Sequence, residues 1–316
     1  MTLWMPKKRP LYAPMLATFG GGSVRGFNPG ATGDGFPVWD YSSPTQISSA
    51  SLDTQQYQSS ENNTTTGIFF SETGNEMYLT MYGSSKIHQY DLSTSWDPSS
   101  ASYNNTVHTF SEDTNAIASY IKPDGTTLYM TSYGGYNKNV WQYTMSTPWD
   151  ISTLSYSNKT LVPTNAHDAT GIFMSRDGTR VFLSNYSAGL VRQHDLSTAW
   201  DISTAGTTHS GQFSVANAVS DTGGGWYEMW MPPDGSELWC YRSTADYIYR
   251  LSLSTAWDIT SASYGGFSNN RINIGSYANP NASGDLPTAY GFYVKPDGSK
   301  LYTVHYSQGY VHRFSF

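Results

Sequence analysis

The chain has 316 residues, of which 13% are charged and 15% aromatic, and a formal net charge of −7. No apolar run reaches the roughly eighteen residues of a membrane-spanning helix, and the single cysteine, Cys240, excludes an internal disulfide and a cysteine-built zinc site. Residues 1 to 33 hold Lys7, Lys8, Arg9 and Arg25 and no acidic residue, so the rest of the chain carries −11 and has no general field for nucleic acid.

Residues 1 to 35 mix stiff and flexible linker chemistry, with Pro6, Pro10, Pro14 and Pro29 followed by Gly20-Gly-Gly-Ser23 and Gly33-Asp-Gly35. No apolar core follows the basic cluster before the prolines, so a secretory signal is not expected. Tyr12, Met15, Leu16 and Phe19 nonetheless offer large apolar groups that a pure spacer does not need. We read residues 1 to 35 as an extended tether with an anchoring segment; a disordered terminus is the alternative.

Beyond the arm, one ten-residue stretch recurs. Leu196-Ser-Thr-Ala-Trp-Asp-Ile-Ser-Thr-Ala205 has close copies beginning at Leu92, Met145 and Leu253, and a fainter one, Tyr41 to Ala50, without the Trp-Asp pair. Trp96, Trp149, Trp200 and Trp257 are spaced 53, 51 and 57 residues apart. A period near fifty points to a repeat architecture and to one large domain over residues 36 to 316.

Each unit opens on a short apolar run, such as Gly67-Ile-Phe-Phe70 or Gly171-Ile-Phe-Met174. A tight turn follows, Asp-Gly in four units (Asp124, Asp177, Asp234 and Asp297) and Thr73-Gly74 in the first, which signals a hairpin. A second strand comes next, as in Met77 to Tyr82, and then a third, as in Ile87 to Leu92; Ala101 to Phe110 exemplifies a weaker fourth. Four antiparallel strands per unit, the most apolar first, describe a β-propeller blade whose first strand lines the central axis. Five copies of strands one to three occur, and the last unit stops at Phe316 after its third. Residues 50 to 58 can supply the missing fourth strand and close the ring, so the reading is an all-β propeller of five blades. A degenerate sixth blade, drawing on Phe36-Pro-Val-Trp-Asp-Tyr41, is the alternative.

The Pro-Asp-Gly-Thr turn followed by Leu-Tyr resembles the repeats of YVTN-type and other bacterial β-propellers. The Leu-Ser-Thr-Ala-Trp-Asp-Ile-Ser-Thr-Ala unit looks like a repeat of phage and marine-bacterial propeller proteins. WD40 repeats are a poorer match, because their Gly-His partner is missing. The stretch from Tyr12 to Phe27 is similar to the short leader that opens many tailed-phage structural proteins. This resemblance implies a virion component, a tail or particle-surface protein made in the host cytoplasm, with Tyr12, Met15, Leu16, Phe19, Arg25 and Phe27 docking on other virion proteins.

The fourfold Trp-Asp pair argues against one asymmetric catalytic site; Trp96, Trp149, Trp200 and Trp257 are expected to plug gaps between blades while each Asp receives turn N–H groups. The histidines form no metal pattern, and His88 and His312 share a strand position that reads as a tolerant surface site. Glu61, Asp113, Asp168, Asp221 and Asp285 precede the first strands; gathered at one channel mouth they would hold Ca²⁺, whereas solvated turn acids are the alternative, in which case no cofactor is needed. Tyr82, Tyr133, Tyr186 and Tyr306 end second strands beside Ser, Gly and Asn, the composition of sugar- or protein-binding faces, with interblade packing as the competing reading. No paired carboxylates or nucleophile stand out. The expectation is therefore a non-enzymatic structural module, with a glycan-binding module and a propeller hydrolase or lactonase as alternatives.

Overall fold

A computed structural model describes residues 47–61, 64–134, 139–164, 169–266, 268–277, 286, 288–306 and 309–316. The arm of residues 1 to 35, with Tyr12, Met15, Leu16, Phe19, Arg25 and Phe27, lies outside the described residues, as do Asp168, Asp285 and the Phe36 to Tyr41 segment on which a sixth blade would draw.

The described residues form five antiparallel sheets, the blades of a five-bladed β-propeller. Blade 1 is Thr65–Phe70, Glu76–Met81, Lys86–Leu92 and Ala101–Thr109. Blade 2 is Ala116–Ile121, Thr127–Ser132, Val140–Met145 and Leu154–Leu161. Blade 3 is Ala169–Met174, Arg180–Asn185, Leu190–Asp195 and Gly211–Ser214. Blade 4 is Trp226–Trp230, Glu237–Arg242 and Tyr247–Leu253, with its outer edge split into Ala262–Ser263 and Arg271–Asn273. Blade 5 joins Ala289–Val294, Lys300–His305 and Tyr310–Ser315 to the early strand Ser51–Gln58.

That last pairing closes the ring between distant parts of the chain, as expected for residues 50 to 58. Ser51 lies opposite Ser315 and Gln58 opposite Tyr310. Asp53 fastens the seam, accepting from Arg313 Nε at 2.7 Å and from Ser315 Oγ at 2.6 Å, with Lys300 Nζ at 3.5 Å. Burial works to raise the Asp53 carboxyl, but the bonds from Ser315 and Arg313 and the charges of Lys300 and Arg313 outweigh it and hold the group below its ordinary range.

The first strands crowd around the axis, so their inner positions are small: Gly67, Ala118, Gly171 and Gly291. A Cβ on Gly171 would stand 2.6 Å from the Tyr227 carbonyl oxygen of blade 4, and one on Gly291 would stand 2.5 Å from that of Thr66. Only glycine allows backbones to approach this closely. Thr66 and Thr170 use the same closeness, each donating its hydroxyl over 2.7 Å to a carbonyl of the next blade, Ile117 and Trp226 respectively.

The recurring ten-residue stretch builds the junctions between blades. Each Asp caps a short 3-10 turn: Asp97, Asp150, Asp201 and Asp258 accept from the backbone N–H and the hydroxyl two residues on. The isoleucine N–H that opens the turn is taken up by the preceding blade, with Ile151 donating to Gln89 and Ile202 to Gln142, each at 3.1 Å. The four tryptophans have φ between 61° and 66°, an outlying conformation for a bulky residue. It lays each indole over the turn glycine of its own blade, Gly74, Gly125, Gly178 or Gly235. Trp96 is buried and packs against Phe70, Tyr293 and Tyr302, the last two in blade 5.

Candidate functional site

Second strands end at corresponding positions in each blade, and the residue after them is Tyr82, Tyr133, Tyr186 and Tyr306 in blades 1, 2, 3 and 5. Blade 4 has Ser243 there. Two further tyrosines fill the gap from first strands: Tyr227 of blade 4 and Tyr290 of blade 5, at positions held by Thr66, Ile117 and Thr170 elsewhere. The six rings touch in a closed circuit. Centroid separations are 6.1 Å from Tyr82 to Tyr133, 5.2 Å to Tyr186, 5.3 Å to Tyr227, 4.4 Å to Tyr290, 4.6 Å to Tyr306 and 6.4 Å back to Tyr82.

The ring therefore gathers all four tyrosines singled out in the sequence, and it contains two that sequence reading missed. Aligning the first strands on their inner residue, Gly67, Ala118, Gly171, Glu228 and Gly291, would have found Tyr227 and Tyr290, since each stands immediately before it. Five members are half-buried and Tyr227 is buried. Burial pushes the phenols of Tyr82 and Tyr227 above their ordinary range, helped by Tyr306 and Tyr290 respectively. Those two hydroxyls thus stay protonated as donors at neutral pH, and the half-exposed rings supply stacking area of the kind that recognition surfaces use.

The described acids have separate partners. Glu61 accepts from Ser59, Ser60 and Tyr90. Asp221 accepts from Tyr249 at 2.9 Å and pairs with Arg242. In blade 2 the corresponding task, accepting from the third-strand Tyr143, falls to Glu112 at 2.5 Å. Asp113 instead receives the N–H of Asn115 at 2.9 Å. Glu61, Glu112 and Asp221 anchor loops to buried phenols, and among the described residues no group of three or more His, Cys, Asp or Glu is placed to hold a metal ion.

The reading of His88 and His312 as a tolerant surface site is corrected: their exposures are 5% and 0%. Strand alternation puts this position under the neighbouring strand, where His88 packs on Tyr103 and His312 against His305 and Tyr310. Burial drives the His312 imidazole down to about 4, so it is neutral across the physiological range. Cys240 is buried, and burial, with Glu228 nearby, pushes its thiol far above the reactive range. No helix among the described residues is long and apolar enough to cross a membrane.

No family model matches the chain, and no curated protein matches it. Among solved structures, a glutaminyl cyclase from Myxococcus xanthus is similar at 10% identity and a TM-score of 0.52, covering 84% of this chain and 95% of its own. The Cps50 (Swd1) β-propeller domain of Myceliophthora thermophila is 11% identical, with coverage of 80% and 83% and a TM-score of 0.46. A putative 6-phosphogluconolactonase from Bacteroides uniformis is 12% identical, with coverage of 75% and 62% and a TM-score of 0.46. Likeness at such identities speaks for the fold alone.

Proposed function

We propose that this propeller is a non-enzymatic attachment module of a phage particle, tethered by residues 1 to 35, with the tyrosine ring as its contact face. The observation that carries the binding half is the closed circuit of six tyrosines, which brings together side chains from all five blades and leaves five of them half-exposed. The particle half rests on the resemblance of residues 12 to 27 to tailed-phage leaders. A rigid ring of phenols suits a sugar surface, because each ring stacks with little loss of freedom while its hydroxyl donates to a sugar oxygen. Host surface glycan is accordingly the second reading, and it assigns the same face a more specific ligand.

Two experiments test the proposal. Lysate of the source is sedimented and the pellet analysed by mass spectrometry: travel with intact particles is expected, and recovery only in the free fraction overturns the particle assignment. A glycan array then tests the face. Saturable binding that weakens about tenfold or more in Tyr133→Ala and Tyr186→Ala is expected; binding unchanged in both variants removes the ring from recognition. Turnover of lactone or peptide substrates by the purified protein would replace the non-enzymatic reading with the hydrolytic one.

A further inference from the structure

The opposite end of the axis holds a second set of aromatic side chains, built by strict register. Phe69, Tyr120, Phe173, Trp230 and Tyr293 occupy the same place in the five first strands, each paired across its hairpin with an aromatic partner: Tyr78, Tyr129, Phe182, Trp239 and Tyr302. Phe69 meets Tyr120 at 5.4 Å and Tyr293 at 5.3 Å, and Tyr120 meets Phe173 at 5.1 Å, each with the planes 70° apart. All five line one cavity of about 40 Å³, against the roughly 10–15 Å³ that one water needs. The space accepts a group of several heavy atoms.

The rim of that cavity departs from fivefold symmetry. Three blades place a proline there, Pro123, Pro233 and Pro296, while blade 1 places Glu72 and blade 3 Arg176. Glu72 and Arg176 both lie close enough to act on the Tyr120 hydroxyl, and Glu72 acts on that of Tyr293 as well. The inner wall therefore combines π-systems with a nearby carboxylate, which favours a cation, and the guanidinium favours an anionic group next to it.

We propose that this cup binds a compact zwitterion, an alkylated ammonium joined by a short link to a carboxylate. The ammonium sits among the five rings beside Glu72, and the carboxylate faces Arg176. The site stands at the other end of the axis from the tyrosine ring and does not depend on the function proposed for that ring.

The test uses the full chain, with glycine betaine as probe in titration calorimetry and with tetramethylammonium and acetate as half-ligands. Saturable betaine binding is expected, tighter than either half-ligand. Glu72→Gln should weaken betaine and tetramethylammonium together by about tenfold; Arg176→Gln should weaken betaine and leave tetramethylammonium unchanged. Phe173→Ala widens the cup and should weaken both cations, with circular dichroism checking that the blades remain folded. No saturable betaine binding by the parent chain, or equal binding by the parent and Glu72→Gln, overturns the proposal.

Discussion

Tyr78 donates its hydroxyl to the backbone carbonyl of Trp149 over 2.7 Å, and the two residues lie 71 positions apart in neighbouring blades. Tyr129 and Trp200 repeat the bond at the same spacing and length. Tyr302 makes it to Trp96 at 2.9 Å across the point where the ring closes. Between blades 3 and 4 the tyrosine position is Phe182, and Arg180 supplies the donor to Trp257 at 2.7 Å instead. The left-handed tryptophan conformation serves two blades at once: the indole covers its own turn while the carbonyl accepts from the neighbour.

Tyr78→Phe should accordingly lower stability by about 1 kcal/mol, the worth of one hydrogen bond. Trp96→Ala, which empties a buried junction, should cost about 3–5 kcal/mol. Urea unfolding followed by tryptophan fluorescence and circular dichroism measures both. Equal stability of Tyr78→Phe and the parent would show that the bond does not hold the junction.

Gly125 and Gly83 separate backbone strain from packing. Both have left-handed φ, +72° and +78°, but an added Cβ at Gly125 would stand 2.5 Å from the Trp149 indole, whereas at Gly83 it meets nothing within 4 Å. Gly83→Ala should cost about 1 kcal/mol from conformation alone, and Gly125→Ala clearly more. Matching losses in thermal melts would mean that the indole moves aside freely.

Glu228 occupies the inner first-strand position that is glycine or alanine in the other blades, and it is 8% exposed. Desolvation holds its carboxyl well above the ordinary 4.5, against the backbone N–H bonds from Met229 and Ile172. Over that window the folded chain binds a proton that the unfolded chain releases, so stability falls as pH rises from about 4.5 towards the folded-state value. Glu228→Gln should remove this slope and make the protein more stable at neutral pH. Denaturant midpoints across a pH series report it, and parallel curves for the two proteins would contradict the assignment.

Asp53 has the opposite sign. Its carboxyl is held below the ordinary value, so its contribution is present above about pH 3.8 and is lost as pH falls through the folded-state value. Asp53→Asn should cost about 2–3 kcal/mol at neutral pH, as expected for hydrogen bonds to a charged group, and should flatten the acid limb. Hydrogen exchange should show faster opening of Ser51–Gln58 than of the other outer strands. Unchanged protection there would mean that the backbone ladder alone closes the ring.

How far the fold was legible follows from how local its signals are. The Asp-Gly turns at Asp124, Asp177, Asp234 and Asp297 mark hairpins because glycine alone accepts their backbone angle cheaply. The missing last strand after Phe316 pointed to residues 50 to 58, since an unpaired sheet edge has to be covered. The site was less legible. Tyr82, Tyr133, Tyr186 and Tyr306 share a sequence context, but Tyr227 and Tyr290 reach the same ring from first strands, at a position where the other three blades carry Thr66, Ile117 and Thr170. Glu112 rather than Asp113 meets Tyr143 because loop geometry, not spacing, chooses between adjacent acids.

The sequence by itself determined the five units, their strand order, the turn chemistry and the Asp-capped segment, because each depends on contacts within a few residues. Only the tertiary structure decided what surrounds each repeated position. His88 and His312 are covered by side chains of their own blades, Tyr103, His305 and Tyr310, whereas the circuit of six tyrosines and the five aromatic side chains of the opposite cup depend mostly on neighbours in other blades, roughly fifty residues or more away. Those neighbours are set by the closure of five blades around one axis, and no local pattern in the chain encodes which of them meet.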